Sequence, residues 1–196
     1  MKKYFYTLTT ALVFSMALPA LANPEQANGP KDINSIVDVA VEANDAGGAF
    51  EGVFDTLIYL LLENVPGRSD ITSALDGKGQ YTVFAPTDDA FSDLEETLLT
   101  LGYCGLDDLG PELVNSVLLY HVAKGRRDAS DVLASDQINM MFGGFLQQEA
   151  GVLADNIGRT SKLIPGAIDV MTDNGIIHAI DTVVLPLLPA PGPGGC

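Results

Sequence analysis

The side chains that could do chemistry in this sequence are two histidines, two cysteines and a run of carboxylates. A general base needs a histidine or carboxylate within hydrogen-bond reach of a nucleophile, and zinc needs Cys, His or carboxylate ligands at matched spacing. Neither pattern occurs. His121 and His178 are far apart, and each lies within an apolar run, LLYHV and IIHAID. There is no GxSxG elbow, HExxH helix, CxxC pair, phosphate loop or EF-hand loop. Gly77-Lys78-Gly79 stands before a strand and lacks a third glycine, the wrong context for dinucleotide binding. No catalytic group, metal or cofactor is therefore expected.

The carboxylates have a structural reading. In QYTVFAPTDDAF, the run Tyr81 to Phe84 is β-branched and aromatic, as in a well-buried strand, and Pro86 ends it. Thr87 suits a helix N-cap, with Asp88 and Asp89 in the first turn, where negative charge complements the helix dipole. Phe91, Leu94, Leu98 and Leu101 carry the apolar stripe onward.

Other elements follow from periodicity. INSIVDVAVEA, Ile33 to Ala43, repeats apolar residues at helical spacing. FEGVFDTLIYLLLENV predicts a second helix held by Phe50, Val53, Phe54, Leu57, Leu61 and Leu62, and ended by Pro66-Gly67. PELVNSVLLYHV predicts another, with Pro111 in its first turn and Lys124-Gly125 as its stop. ASDVLA reads as a short helical turn capped by Ser130. From Ile138 the pattern turns to β, and Asn174-Gly175 between two apolar runs signals a hairpin. Helices followed by hairpin-linked strands predict an antiparallel α+β fold.

The ends point to export. MKKYFYTLTTALVFSMALPALA joins two lysines, an apolar run and Ala20-Leu21-Ala22, the pattern of a signal peptide cleaved after Ala22. Residues 23–31 read as a disordered lead-in, 32–186 as the domain, and 187–196 as a Pro/Gly-rich tail ending in cysteine. LIYLLL is too short to span a bilayer. A secreted, periplasmic or cell-surface destination permits disulfides; Cys104 with Cys196 is the expected pair, with free thiols or an intermolecular link as the alternatives. The net charge is −16, and the interval Gly79 to Ala123 holds eight acids without a Lys or Arg. Such a chain repels nucleic acid and anionic lipid.

TVFAPTDDAF, LLYHV and NGIIHAIDTVVLP, in this order, together with the opening helix, resemble the hallmark blocks of the fasciclin domain family. The similarity runs from about Ile33 to Pro186. It implies a wedge-shaped antiparallel β-sandwich wrapped by several helices. It also implies a non-catalytic role in cell adhesion or extracellular matrix interaction, through protein or polysaccharide binding. A Tyr-His pair and an Asp-Ile-Met-like segment serve integrin binding in animal members. Carried over, they become Tyr120 and His121, and Asp169, Val170 and Met171, although Ala167-Ile168 replaces the usual Glu-Pro and Val170 replaces Ile. Thr87, Asp88, Asn174, Gly175 and His178 read as structural residues of the motif. The alternative function is a soluble carrier of an apolar lipid or pigment, suggested by the 47% hydrophobic composition.

Overall fold

The computed structural model describes residues 34–45, 55–62, 69–192 and 194. The expected leader and lead-in lie outside the described residues, as do Phe50, Val53, Phe54, Pro66-Gly67 and Cys196.

Among the described residues five helices flank the first strand along the chain. They are α1 (Ile36–Asp45), α2 (Asp55–Leu62), α3 (Ser69–Leu75), α4 (Asp88–Thr100) and α5 (Pro111–Tyr120). The strand β1 (Tyr81–Pro86) precedes α4, and a 3-10 turn, Leu106–Asp108, separates α4 from α5. Then come β2 (Val122–Lys124), α6 (Ala129–Ala134), β3 (Gln137–Asn139), β4 (Phe145–Glu149), β5 (Val152–Ala154), β6 (Thr160–Lys162), β7 (Val170–Thr172) and β8 (Gly175–Ile180). One sheet has the order β2-β1-β8-β7, the other β3-β4-β5-β6.

The pairings are antiparallel with one exception. Strands β1 and β8 run parallel, Tyr81 opposite Gly175 and Pro86 opposite Ile180. The expected antiparallel α+β fold therefore holds, with this one parallel pair inside it. Parallel neighbours require a crossover, and here everything from α4 to β7 forms it. The physical consequence is burial on both faces. Val83, Ala85, Ile177 and Ala179 face a core with Leu57, Phe91, Leu94, Leu98 and Leu118 from the helices. Phe84 and Ile180 face a second core with Ile138, Leu146 and Leu153 from the other sheet. A strand covered on both sides carries a continuous apolar run instead of an alternating one, which accounts for the composition of both strands.

Three local readings also change. Helix α6 is capped by Asp128, whose carboxylate accepts from Asp131 N–H at 2.8 Å, and Ser130 only donates to that carboxylate at 2.6 Å. The acid can accept from the first turn without shifting, so it takes the cap. Helix α5 ends at Tyr120, with His121 as its C-cap, and Lys124 belongs to β2. The β7–β8 hairpin turns at Asp173-Asn174, because Thr172 pairs with Gly175. Gly175 is thus the first strand residue, and it needs no positive φ. Glycine is required there for space: a Cβ would collide with Tyr81 O and with Ile36 Cδ1.

Asn174 joins distant elements at this point. It is 1% exposed. Its Oδ1 accepts from Ile36 N–H at 2.8 Å, at the start of α1, and its Nδ2 donates to Leu75 O and Gly77 O at the end of α3. Asp88 does similar work between helices. From the first turn of α4 its carboxylate accepts from Asp55 and Thr56 N–H, capping α2. Thr87 caps α4 itself, accepting from Ala90 N–H at 3.3 Å.

Candidate interaction site

Tyr120 and His121 sit inside the protein, at 0% and 3% exposure. The Tyr120 hydroxyl donates to Phe145 O at 2.7 Å and accepts from Asn156 N–H at 3.1 Å. Burial pushes this phenol up to about 12, partly opposed by the Asn156 hydrogen bond and aided by the charge of Asp155. The His121 Nδ1–H donates to Val117 O at 2.7 Å, and Nε2 accepts from Val184 N–H at 3.2 Å, which assigns the neutral tautomer from its partners. Burial lowers the ring to about 4, opposed by the Val117 bond and reinforced by the Arg159 charge. Both side chains use their polar atoms to fasten one core segment to another. An imidazole in that state is neither a free base nor a ligand.

His178 is fully buried, on β8, beside the Phe84 ring at 5.9 Å. Its Nε2–H donates to Arg127 O at 2.9 Å and its Nδ1 accepts from Asp169 N–H at 3.2 Å. Asp169 has a left-handed φ of 58°, and its carboxylate accepts from Ala129 N–H at 2.7 Å, in the first turn of α6. Thr82 holds the same loop from β1, donating to Gly125 O and accepting from Arg127 N–H. One buried ring and one buried hydroxyl therefore bring two surface segments together, Lys124–Arg127 and Asp169–Met171.

What that corner displays is a mixed surface. Met171 is 56% exposed on an edge strand, and the Arg126 guanidinium donates to its Sδ at 3.4 Å. Lys124 and Arg126 are exposed, Val170 half-buried. Three cations within four residues stand out on a chain of net charge −16. Of the five expected contact residues, the structure thus gathers Asp169, Val170 and Met171 at one edge and places Tyr120 and His121 in the interior. Arg126 was missed by the sequence reading; nothing in its own neighbourhood signals that it meets Met171, 45 residues away.

Two concave features lie elsewhere among the described residues. An apolar cleft among α2, α4, α5 and the C-terminal segment encloses about 30 Å³, roughly one water's share of liquid volume. An open groove of about 430 Å³ is lined by Thr56, Tyr59, Glu95, Cys104 and Asp108. Among the described residues no group of three or more His, Cys, Asp or Glu side chains is placed to hold a metal. No described helix is long and apolar enough to cross a membrane.

Helices over a mixed sheet, backed by a second antiparallel sheet and fastened by buried Tyr, His and Asn side chains, make an α+β domain. The chain belongs to the fasciclin domain family, whose model matches residues 56–186. Protein sll1483 of Synechocystis is 31% identical over 185 residues, covering 90% of this chain and 93% of that protein. The cell surface glycolipoprotein MPB83 of Mycobacterium bovis is 30% identical over 152 residues, 71% of this chain and 64% of that protein. A FAS1 domain pair from the insect cell adhesion molecule fasciclin I aligns with a TM-score of 0.52 at 20% identity, over 69% of this chain and 48% of that one.

Proposed function

We propose that this is an exported, non-catalytic adhesion domain that attaches to an extracellular protein or polysaccharide through the corner formed by Lys124–Arg127 and Asp169–Met171. The observation that carries the reading is the use of His178 and Thr82 to fix that corner, with Met171 and Arg126 left on its outer side. A rigid, partly apolar, cationic edge on an acidic molecule contacts a partner without ordering a loop on binding, which lowers the entropic cost of association. Membership of a family that includes a cell adhesion molecule and a cell surface glycolipoprotein supports the same reading. Export, and cleavage after Ala22, are part of the proposal.

The test is retention of the protein on immobilised cell walls, exopolysaccharide and matrix proteins, with an Arg126→Ala/Met171→Ala variant alongside. The variant should lose about thirtyfold or more in affinity at unchanged melting temperature, since even one hot-spot truncation costs about 2 kcal/mol. Equal retention of the variant and the parent sinks this corner; absence of retention on every surface sinks adhesion. The carrier reading has less support. The apolar cleft of about 30 Å³ is far below the ~300 Å³ at which small-molecule sites begin, and the open groove of about 430 Å³ is lined in part by the carboxylates of Glu95 and Asp108, which do not suit an apolar ligand.

A further inference from the structure

We propose that the open groove between α2, α4 and the 3-10 turn Leu106–Asp108 binds an alkylammonium group, an aliphatic stem that lies on Leu60 and Leu106 with a cationic head held by Glu95 and Asp108. The groove shares no lining residue with the corner Lys124–Arg127 and Asp169–Met171, so the proposal is independent of the adhesion reading.

Local structure brings the lining together. Asp88 accepts from Asp55 and Thr56 N–H, and so fixes the start of α2 on the first turn of α4. On α2, Thr56, Tyr59 and Leu60 stand at i, i+3 and i+4, which puts them on one side of the helix, and all three line the groove. The other lining comes from Glu95 on α4 and from the segment Cys104–Asp108 that follows it. Because Gly105 has no side chain, the Glu95 carboxylate rests close to this segment: a Cβ on Gly105 would stand 3.7 Å from Glu95 Oε1. Asp108 Oδ2 accepts from Cys104 N–H at 2.7 Å, which holds its carboxylate on the same turn. The space between is about 430 Å³, within the size range of small-molecule sites. Leu60 is buried and Leu106 half-buried, while Tyr59 is 52% exposed.

The lining is amphipathic, and its charge has one sign. Neither Asp55–Leu62 nor the stretch from Asp88 to Asp108 contains a Lys or Arg. Among the described residues the Glu95 carboxylate has no hydrogen-bond or ion-pair partner. On a chain of net charge −16 a concave site of this kind draws cations. A divalent metal is poorly served, because it takes about six oxygen ligands and the leucines offer it nothing. An anion is repelled, and a neutral apolar ligand would desolvate carboxylates without pairing them. An ammonium head on a methylene stem uses the whole lining. Its stem covers Leu60 and Leu106, as lysine stems cover apolar surface elsewhere. Its head carries three donors and no acceptor, which suits carboxylate oxygens. Tyr59 adds an aromatic ring, to whose face a cation is attracted. Free amines and the lysine side chains of a protein segment share this chemistry.

The experiment titrates the isotope-labelled full chain with hexylammonium chloride and follows backbone amide shifts. Saturable shifts should centre on Leu60, Glu95 and Leu106, weaken as salt is raised, and not be reproduced by 1-hexanol. Glu95→Gln should lower the affinity about fivefold at unchanged Tm, the scale of an exposed ion pair. Glu96→Gln removes the same charge from the next residue, which does not line the groove, and should change the affinity less than about twofold. Spermidine and a lysine tripeptide distinguish the sources: tighter binding of the first assigns the groove to a free amine, tighter binding of the second to a protein segment, and either upholds the ammonium chemistry. Equal shifts with 1-hexanol would overturn the proposal, since the site would then read only the stem. Equal losses in the two Gln variants, or shifts spread over the acidic surface without saturation, would also overturn it, because the cation would then be a general counterion.

Discussion

Acidification tests the state of His121 most directly. In the unfolded chain the ring titrates near 6.5, and in the folded protein burial holds it at about 4. Above pH 6.5 neither state binds the proton and stability is complete. As the pH falls below 6.5 the unfolded chain takes up a proton that the folded one refuses, and stability drops until about pH 4, where the loss levels off. A displacement from 6.5 to about 4 at 1.36 kcal/mol per unit corresponds to about 3 kcal/mol. His121 is 3% exposed, so solvent screening removes little of it. For a domain of this length that is about 6–12 °C in Tm. Carboxylates titrate over part of the same range, so the assay needs a reference. His121→Gln supplies one: its amide can donate to Val117 O and accept from Val184 N–H, but it does not ionise. Urea denaturation of both proteins at pH 7 and pH 4 isolates the imidazole. The parent should lose about 3 kcal/mol more than the variant between the two pH values. A difference below about 0.5 kcal/mol would refute a neutral, buried His121 and with it the account of the Val117–His121–Val184 connection.

Two further predictions concern the hairpin that ties the helices to the sheet. Asn174→Ala leaves Ile36 N–H, Leu75 O and Gly77 O without their partner, and should cost about 3 kcal/mol or more in chemical denaturation; a loss under about 1 kcal/mol would mean the three groups find other partners. Gly175→Ala should destabilise by at least about 2 kcal/mol despite an ordinary φ, because the added methyl meets a backbone oxygen that cannot move aside; a neutral result in thermal melts would show that β1 and β8 can separate locally.

Much of the helical layer was legible because its signals are local. The Thr87 cap, the two aspartates behind it and the Phe91, Leu94, Leu98 stripe lie within twelve residues, and α4 forms where they stand. The resemblance of three separated blocks to fasciclin domains carried the fold class. The finer errors also have a common cause. Asn-Gly was placed at the turn because it is the usual hairpin pair, but Gly175 is needed for what lies against it, Tyr81 O and Ile36, and neither is near in sequence. Asp128 and Ser130 are both good caps by type, and only the direction of the chain entering α6 selects the acid.

The candidate site divides the same way. Sequence identified Asp169, Val170 and Met171 as a segment and His178 as a structural residue, but gave Arg126 no part and left the exposure of Tyr120 and His121 open. The order of apolar and polar residues along the chain determined that there would be helices first and mostly strands after them. The parallel pairing of β1 with β8 and the burial of Tyr120 and His121 were decided in the tertiary structure. Each depends on groups brought together across tens of residues, where no local periodicity or turn preference acts, and where packing and hydrogen-bond satisfaction choose the partner.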